Sequence, residues 1–177
     1  KEKNYPHDIE LNKNFSLYSN TKPDTLLKGN FKYLFFGKIN GYFDKGQFIK
    51  INNFKLKKNI NLLIDKKYIL DGNYFFLKVN KNRVELKIDD KGLYDVFYSN
   101  IKNNICFSNN LSLIRNKISH NLSLDNFSVI TALSSLSKRP PSKRTFFNEI
   151  KRLDSSCSNI LDGKKFRVKE NNFMPTE

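Results

Sequence analysis

Between Phe75 and Ile88 the chain alternates with a period of two. Phe75, Leu77 and Val79 are apolar, Asn80-Lys81-Asn82 interrupts them, and Val84, Leu86 and Ile88 resume the alternation. That period fits strands with one face buried, and a polar break between two such runs predicts an antiparallel hairpin. A second hairpin is predicted through Tyr94 to Tyr98, a turn at Asn100 to Asn104, and a return through Ile105-Cys106-Phe107. Upstream, Tyr33 to Ile39 reads as a strand with a continuous apolar start. Asn40-Gly41 then predicts a tight hairpin turn, because both residues tolerate positive φ. Asp44-Lys45-Gly46 predicts another turn, with short strands at Gln47 to Ile51 and Phe54 to Leu56.

The period changes after residue 110. Leu111, Leu113, Ile114 and Ile118 suit a short helix, and Ser123 to Asp125 can cap a second one carrying Phe127, Val129, Ile130 and Leu133. Ser137 to Ser142, with two prolines, breaks the chain. Ile160-Leu161, Asp162-Gly163 and Phe166-Arg167-Val168 predict a closing hairpin. The class is α+β, mostly antiparallel sheet with a few helices. The expected organisation is a polar arm over 1–30, one folded domain over 31–170, and a polar tail or start of a linker over 171–177. A chain of 177 residues is of ordinary single-domain size.

No run of 18 apolar residues exists, which excludes a membrane-spanning helix, and KEKNYPHDIELNKN carries no secretory signal. The first residue is Lys1, so a processed chain or an expressed fragment is expected. Cys106 and Cys157 are too few for a disulfide framework or a four-thiolate zinc site and fit a reducing cytoplasm.

The formal charge is +15, which points toward polyanions. Of the 32 basic residues, 26 are Lys and 6 are Arg, while Asn occurs 25 times and Ala once. Lys and Asn have A/T-rich codons, so composition alone accounts for much of the charge, and Arg, the usual base reader, is scarce. Among the basic runs, Lys138, Arg139, Lys143 and Arg144 lie in a Pro-containing segment and form a candidate loop for docking an anion or a partner. A solvated loop is the plain alternative. Cys106, between Ile105 and Phe107, reads as a buried structural thiol, and Cys157 lies in a Ser-rich turn. His7 and His120 are isolated, and Asp89-Asp90 before Lys91-Gly92 reads as a turn. No phosphate-gripping GxxxxGK[ST] or GxGxxG is present. No residue is assigned a catalytic, cofactor-binding or metal-ligating role.

From residue 69 onward the order of segments resembles the second half of the glutaminase domain of asparagine synthetases. Gly72-Asn73-Tyr74-Phe75 stands where that family has Gly-(Asp/Glu)-Phe, and Asp90-Lys91-Gly92-Leu93-Tyr94 stands near its Asp-Arg-x-Gly turn. Phe97-Tyr98 matches the following strand. Phe107-Ser108-Asn109-Asn110 matches a Phe-Ala-Ser-Glu strand end, with Asn110 in place of Glu. Lys143 to Leu153 resembles the Arg-Thr-Leu-Phe-x-x-Ile-x-x-Leu element, and Asp162-Gly163 the closing turn. The resemblance implies a reduced N-terminal-nucleophile fold, an αββα sandwich of stacked antiparallel sheets with flanking helices. It also implies a partner: a synthetase domain using ATP and magnesium, in the same parent chain or on a separate subunit. A homodimer is a further expectation.

The implied glutaminase chemistry needs a thiol or hydroxyl on residue one, with its own α-amine as base. Lys1 supplies neither. The family's Cys-Gly-Ile start matches Phe36-Gly37-Lys38, which puts Phe36 in the nucleophile's place. No SGGxDS-like loop of the ATP domain is present. The expectation is a catalytically inactive, glutaminase-like N-terminal domain with a structural role. It needs no cofactor in this chain and belongs to an ATP-dependent amide-forming ligase in the cytoplasm. The alternative is a basic nucleic-acid or polyanion binding module, although nucleic acid is not the expected partner.

Overall fold

A computed structural model of the chain describes residues 7–13, 15–65, 68–101, 104–118, 122–134, 143–155, 157–162 and 165–170. In chain order the elements are β1 (His7–Asn12), β2 (Phe15–Ser19), β3 (Asp24–Lys28), β4 (Phe31–Asp44), β5 (Gln47–Lys50), α1 (Leu56–Ile64), β6 (Ile69–Val79) and β7 (Arg83–Ile88). They continue as β8 (Phe97–Ile101), β9 (Asn104–Ser108), α2 (Leu111–Lys117), α3 (Asn126–Ser134), β10 (Lys151–Arg152), β11 (Cys157–Asp162) and β12 (Lys165–Glu170). They fall into two compact units, one of Lys1–Lys22 with Asp95–Asp154, the other of Pro23–Tyr94 with Ser155–Glu177.

The first unit is a five-stranded sheet in the order β1-β2-β9-β8-β10. The residues expected as an arm supply β1 and β2, and β2 pairs parallel to β9. Phe15 lies opposite Ile105 and Leu17 opposite Phe107, and all four side chains are buried. Helix α2 starts where Asn110 accepts the Ser112 N–H on its side chain at 2.9 Å, satisfying one orphan donor of the first turn. Its Ile114 packs with Phe97 and Ile150, bordered by Leu111, Ile118, Leu122 and Phe147.

The second unit is a seven-stranded sheet, β12-β11-β7-β6-β4-β3 with β5 also on β4. The predicted hairpin of residues 75–88 is β6 and β7, paired Phe75 to Ile88, Leu77 to Leu86 and Val79 to Val84. The closing hairpin is β11 and β12. The continuous apolar start of β4 has a simple cause: both of its faces are buried. Leu34 and Phe36 lie beside Leu77 and Phe75 on one face. Tyr33, Phe35 and Ile39 point to the other, where Leu56, Ile60 and Leu63 of α1 pack on them. Helix α1 has no side-chain cap of its own at Lys55. Asp24 takes that role, its carboxylate accepting the Leu56 N–H at 3.0 Å.

Four expectations are corrected. The chain is mostly β, with a mixed sheet in the first unit and, among the described residues, three helices of seven to nine residues. It is not an αββα sandwich of antiparallel sheets. Apolar alternation runs through the supposed arm as well, so strand takes up sequence that helical layers would need. Asn40-Gly41 makes no turn: β4 runs through it to Asp44, and a bulge between Ile39 and Gly41 absorbs the extra residue. The bulge returns Tyr42 to the face that Ile39 occupies. The tight turn lies at Lys45 and Gly46, which have φ of 49° and 78° and join Asp44 to Gln47. Phe54 to Leu56 is not a strand, because Leu56 opens α1, and the second hairpin's first strand begins at Phe97 rather than Tyr94.

Candidate functional site

Of the four residues of the predicted docking loop, Lys138 and Arg139 lie outside the described residues. The other two are placed, and each meets a carboxylate of the chain. Lys143 Nζ lies 3.0 Å from Asp154 Oδ2. Arg144 Nη1 donates to both oxygens of Asp125, at 3.0 and 3.3 Å, and its guanidinium sits 4.9 Å from the Phe127 ring centroid.

Asp125 is the centre of this arrangement. It stands just before α3 and is almost wholly buried. Its carboxylate accepts the Ser128 N–H at 3.3 Å and the Ser128 hydroxyl at 2.9 Å, a capping pattern that the sequence signals at Ser123 to Asp125. Burial pushes its acidity weaker, but the bonds from Ser128 and the Arg144 guanidinium outweigh that and hold it below the usual carboxylate value.

The segment resembling Arg-Thr-Leu-Phe runs alongside. The Asp125 N–H donates to the Phe146 carbonyl, the Asn148 N–H donates to the Ser123 carbonyl, and Leu124 bridges Phe147 antiparallel. Buried Thr145 closes the segment's own turn, donating to the Ile150 carbonyl at 2.8 Å. Glu149 accepts the Ser123 hydroxyl and N–H, which lowers its pKa. These residues order a strap beside α3.

The segments that resemble the family's Cys-Gly-Ile and Gly-(Asp/Glu)-Phe lie on adjacent strands. Phe36 faces Phe75 across the β4–β6 pair, with ring centroids 6.0 Å apart, and Gly37 faces Tyr74. Gly37 has φ +95°, and a Cβ there would stand 2.2 Å from the Asn73 carbonyl oxygen, so only glycine fits this approach. The Tyr74 hydroxyl is fully buried with no hydrogen-bond partner among the described residues, and burial raises its pKa. Buried Asp89 accepts the N–H groups of Leu93 and Tyr94, and its carbonyl accepts that of Gly92. This is the turn that the sequence predicts. Burial raises the Asp90 carboxyl.

Cys106 is a buried thiol outside any disulfide, and burial raises its pKa, opposite to what a nucleophile needs. The side chain of Cys157 and the whole of His120 lie outside the described residues, and His7 opens β1. Among the described residues, no group of three or more His, Cys, Asp or Glu is placed to hold a metal ion, and no helix is long and apolar enough to cross a membrane. Comparison with models of known protein families finds no match, and no curated protein matches the chain.

Sequence reasoning missed α1, although Leu56, Ile60 and Leu63 recur at helical spacing. It also named the apolar residues of α3 without assigning them a face. The structure leaves Leu124, Phe127, Ile130 and Leu133 exposed.

Proposed function

We propose that the chain is a non-catalytic module of an ATP-dependent amide-forming enzyme of the asparagine-synthetase kind, serving assembly rather than ammonia release. Its partner is a synthetase domain, in the same parent chain or on a separate subunit in the cytoplasm. That domain, with ATP and magnesium, carries the chemistry.

Phe36 carries this reading. Where the resemblance puts a nucleophile with a free α-amine, there is a buried phenyl ring in the middle of a 14-residue strand. The strand is paired on both sides there, Phe36 with Phe75 and Phe35 with Asp24. A nitrogen inside a peptide bond cannot act as the base, and a phenyl ring cannot attack an amide carbon. Under this reading the paired strands β4 and β6 and the strap beside α3 hold shape and carry no chemistry. Of the loop that motivates the polyanion alternative, the two described cations, Lys143 and Arg144, are each paired with a carboxylate of the chain.

Incubating the full chain with glutamine at neutral pH should release no glutamate or ammonia above a protein-free control. Turnover would overturn the non-catalytic reading. An antibody to the chain, used on its native cells, should detect a larger parent or bring down an adenylating subunit. Recovery of a lone 20.8 kDa protein would overturn the assembly role.

A further inference from the structure

The hairpin of β4 and β5 carries two aromatic rings that the core does not use. Phe43 and Phe48 stand opposite each other across it, 40% and 49% exposed, with ring centroids 5.2 Å apart. The core beneath α1 takes Tyr42 and Ile51 from the opposite face instead. The Phe48 ring leans across the sheet onto Gly41. A Cβ at 41 would stand 2.4 Å from its Cζ and 2.6 Å from its Cε2, so the ring fills the space that a side chain there would need. A ring held down in this way turns one face to the sheet and leaves the other for a ligand.

The charges on that face indicate the ligand. Lys50 lies opposite Gly41 and shares the face of Phe48, and Lys38 lies farther back along β4, on the side away from Ile39. Lys45 stands in the turn. All three are exposed, and among the described residues none is paired with a carboxylate. The carboxylate on this face, Asp71 opposite Gly41, is neutralised by Lys91 and also accepts the Asn40 amide. Asp44 follows Phe43 and so points to the other face. Aromatic rings with free cations alongside are what hold single-stranded nucleic acid, an unpaired base on each ring and a phosphate on each cation. A duplex keeps its base faces in the stack and meets only the lysines. A lipid surface fits less well, because the end of the hairpin is the polar run Asp44-Lys45-Gly46-Gln47 and the rings lie behind it on the sheet.

We propose that the β4–β5 hairpin is a stacking platform for single-stranded nucleic acid, on which Phe48 and Phe43 receive bases and Lys50, Lys38 and Lys45 receive the phosphates beside them. The site uses neither Lys143 nor Arg144, and it stands independently of the assignment to an amide-forming enzyme.

Fluorescence anisotropy of a dye-labelled oligothymidylate of about 12 nucleotides, titrated with the full chain at about 0.15 M salt, tests it. Saturable binding is expected, with Kd on the order of 10 μM. Phe48→Leu keeps the apolar bulk but removes the π-face, and it should weaken binding about 5- to 140-fold, the size of one base stack. Phe48→Tyr keeps the face and should bind within about 3-fold of the parent, which separates a lost stack from a lost fold. Lys50→Ala should reduce the slope of log K against log salt by about 0.7, whereas Phe48→Leu should leave that slope unchanged. Binding to a duplex of the same length should not respond to Phe48→Leu. Failure to reach saturable binding up to about 100 μM chain overturns the proposal. So does a Phe48→Leu variant that binds like the parent, or one that loses duplex binding to the same degree. Binding to vesicles of phosphatidylserine and phosphatidylcholine without binding to the oligonucleotide overturns it as well, and assigns the face to lipid.

Discussion

Helices α1 and α3 are both nine residues long and both apolar enough to be buried, yet they use their apolar residues in opposite ways. Helix α1 turns Leu56, Ile60 and Leu63 inward onto Tyr33, Phe35 and Phe76 and leaves Lys57 and Lys58 in solvent. Helix α3 turns Ser128 and Ala132 inward and its large residues outward. The polar groups around each explain the difference. At α1, Asp24 takes the Leu56 backbone N–H and places no demand on any α1 side chain. At α3, Asp125 binds both the backbone and the hydroxyl of Ser128, and Arg144 holds Asp125 from the other side. Once Ser128 must point at a buried carboxylate, Phe127, Ile130 and Leu133 have only the opposite faces left. A buried ionic node costs more to leave unsatisfied than a few exposed apolar side chains, so it sets the rotation of the helix.

The largest effect that would break this contrast is a pair of matched truncations. Ile60→Ala removes a side chain 4% exposed and should cost about 2–5 kcal/mol. Ile130→Ala, at the same chemistry on α3, should stay within about 0.5 kcal/mol for the monomer, as exposed substitutions do. Urea midpoints at low protein concentration measure both. Equal losses would mean that the α3 face is buried within the monomer.

The next effect tests the node that sets α3's rotation. Asp125→Asn keeps a capping oxygen but removes the charge that pairs with Arg144, so it should lower the melting temperature at pH 7. The folded pKa of Asp125 lies below its ordinary value of 3.8. The stability that comes from the charge is therefore complete above about 3.8 and fades as pH falls through the folded value beneath it. The difference between variant and parent should thus shrink below pH 4 and vanish in stronger acid. A difference that persists unchanged at pH 2 would show that the pair does not hold α3 in place.

Legibility from sequence divides along the same line. The β6–β7 and β11–β12 hairpins are readable because their period of two is local and their turns are polar. Helix α2 is readable because Leu111, Leu113 and Ile114 follow Asn110, which caps it. The bulge at Asn40 was not readable. Asn-Gly suits a hairpin turn and a bulge alike, and the choice is made by β6, which pairs with β4 on both sides of it, some 30 residues away. The parallel pairing of β2 with β9 was hidden for a similar reason, since nothing near Phe15 refers to Ile105. At the candidate site the capping signal of Asp125 was visible, but its pairing with Arg144, 19 residues on, was not. Arg144 was therefore read as free to dock an anion. Long-range ionic pairs leave no periodic trace, and they decide which cations of a basic chain are available.

The smallest expected effect concerns Lys143, the other described cation of that loop. Its partner Asp154 is partly exposed and Lys143 itself is half-exposed, so solvent screens the pair and Lys143→Ala should cost less than about 1 kcal/mol. Stability alone would not separate a structural role from an anion-binding one, but salt dependence does. Each phosphate contact on duplex DNA contributes about 0.9 to the slope of log K against log salt. If Lys143 is held by Asp154, whatever weak duplex binding the +15 chain shows should keep the same slope after Lys143→Ala. A slope smaller by about 0.9 would mean that Lys143 leaves Asp154 for phosphate. The contrast would then need restating: the node at Asp125 would be structural, while the loop beside it exchanges an internal carboxylate for an external one.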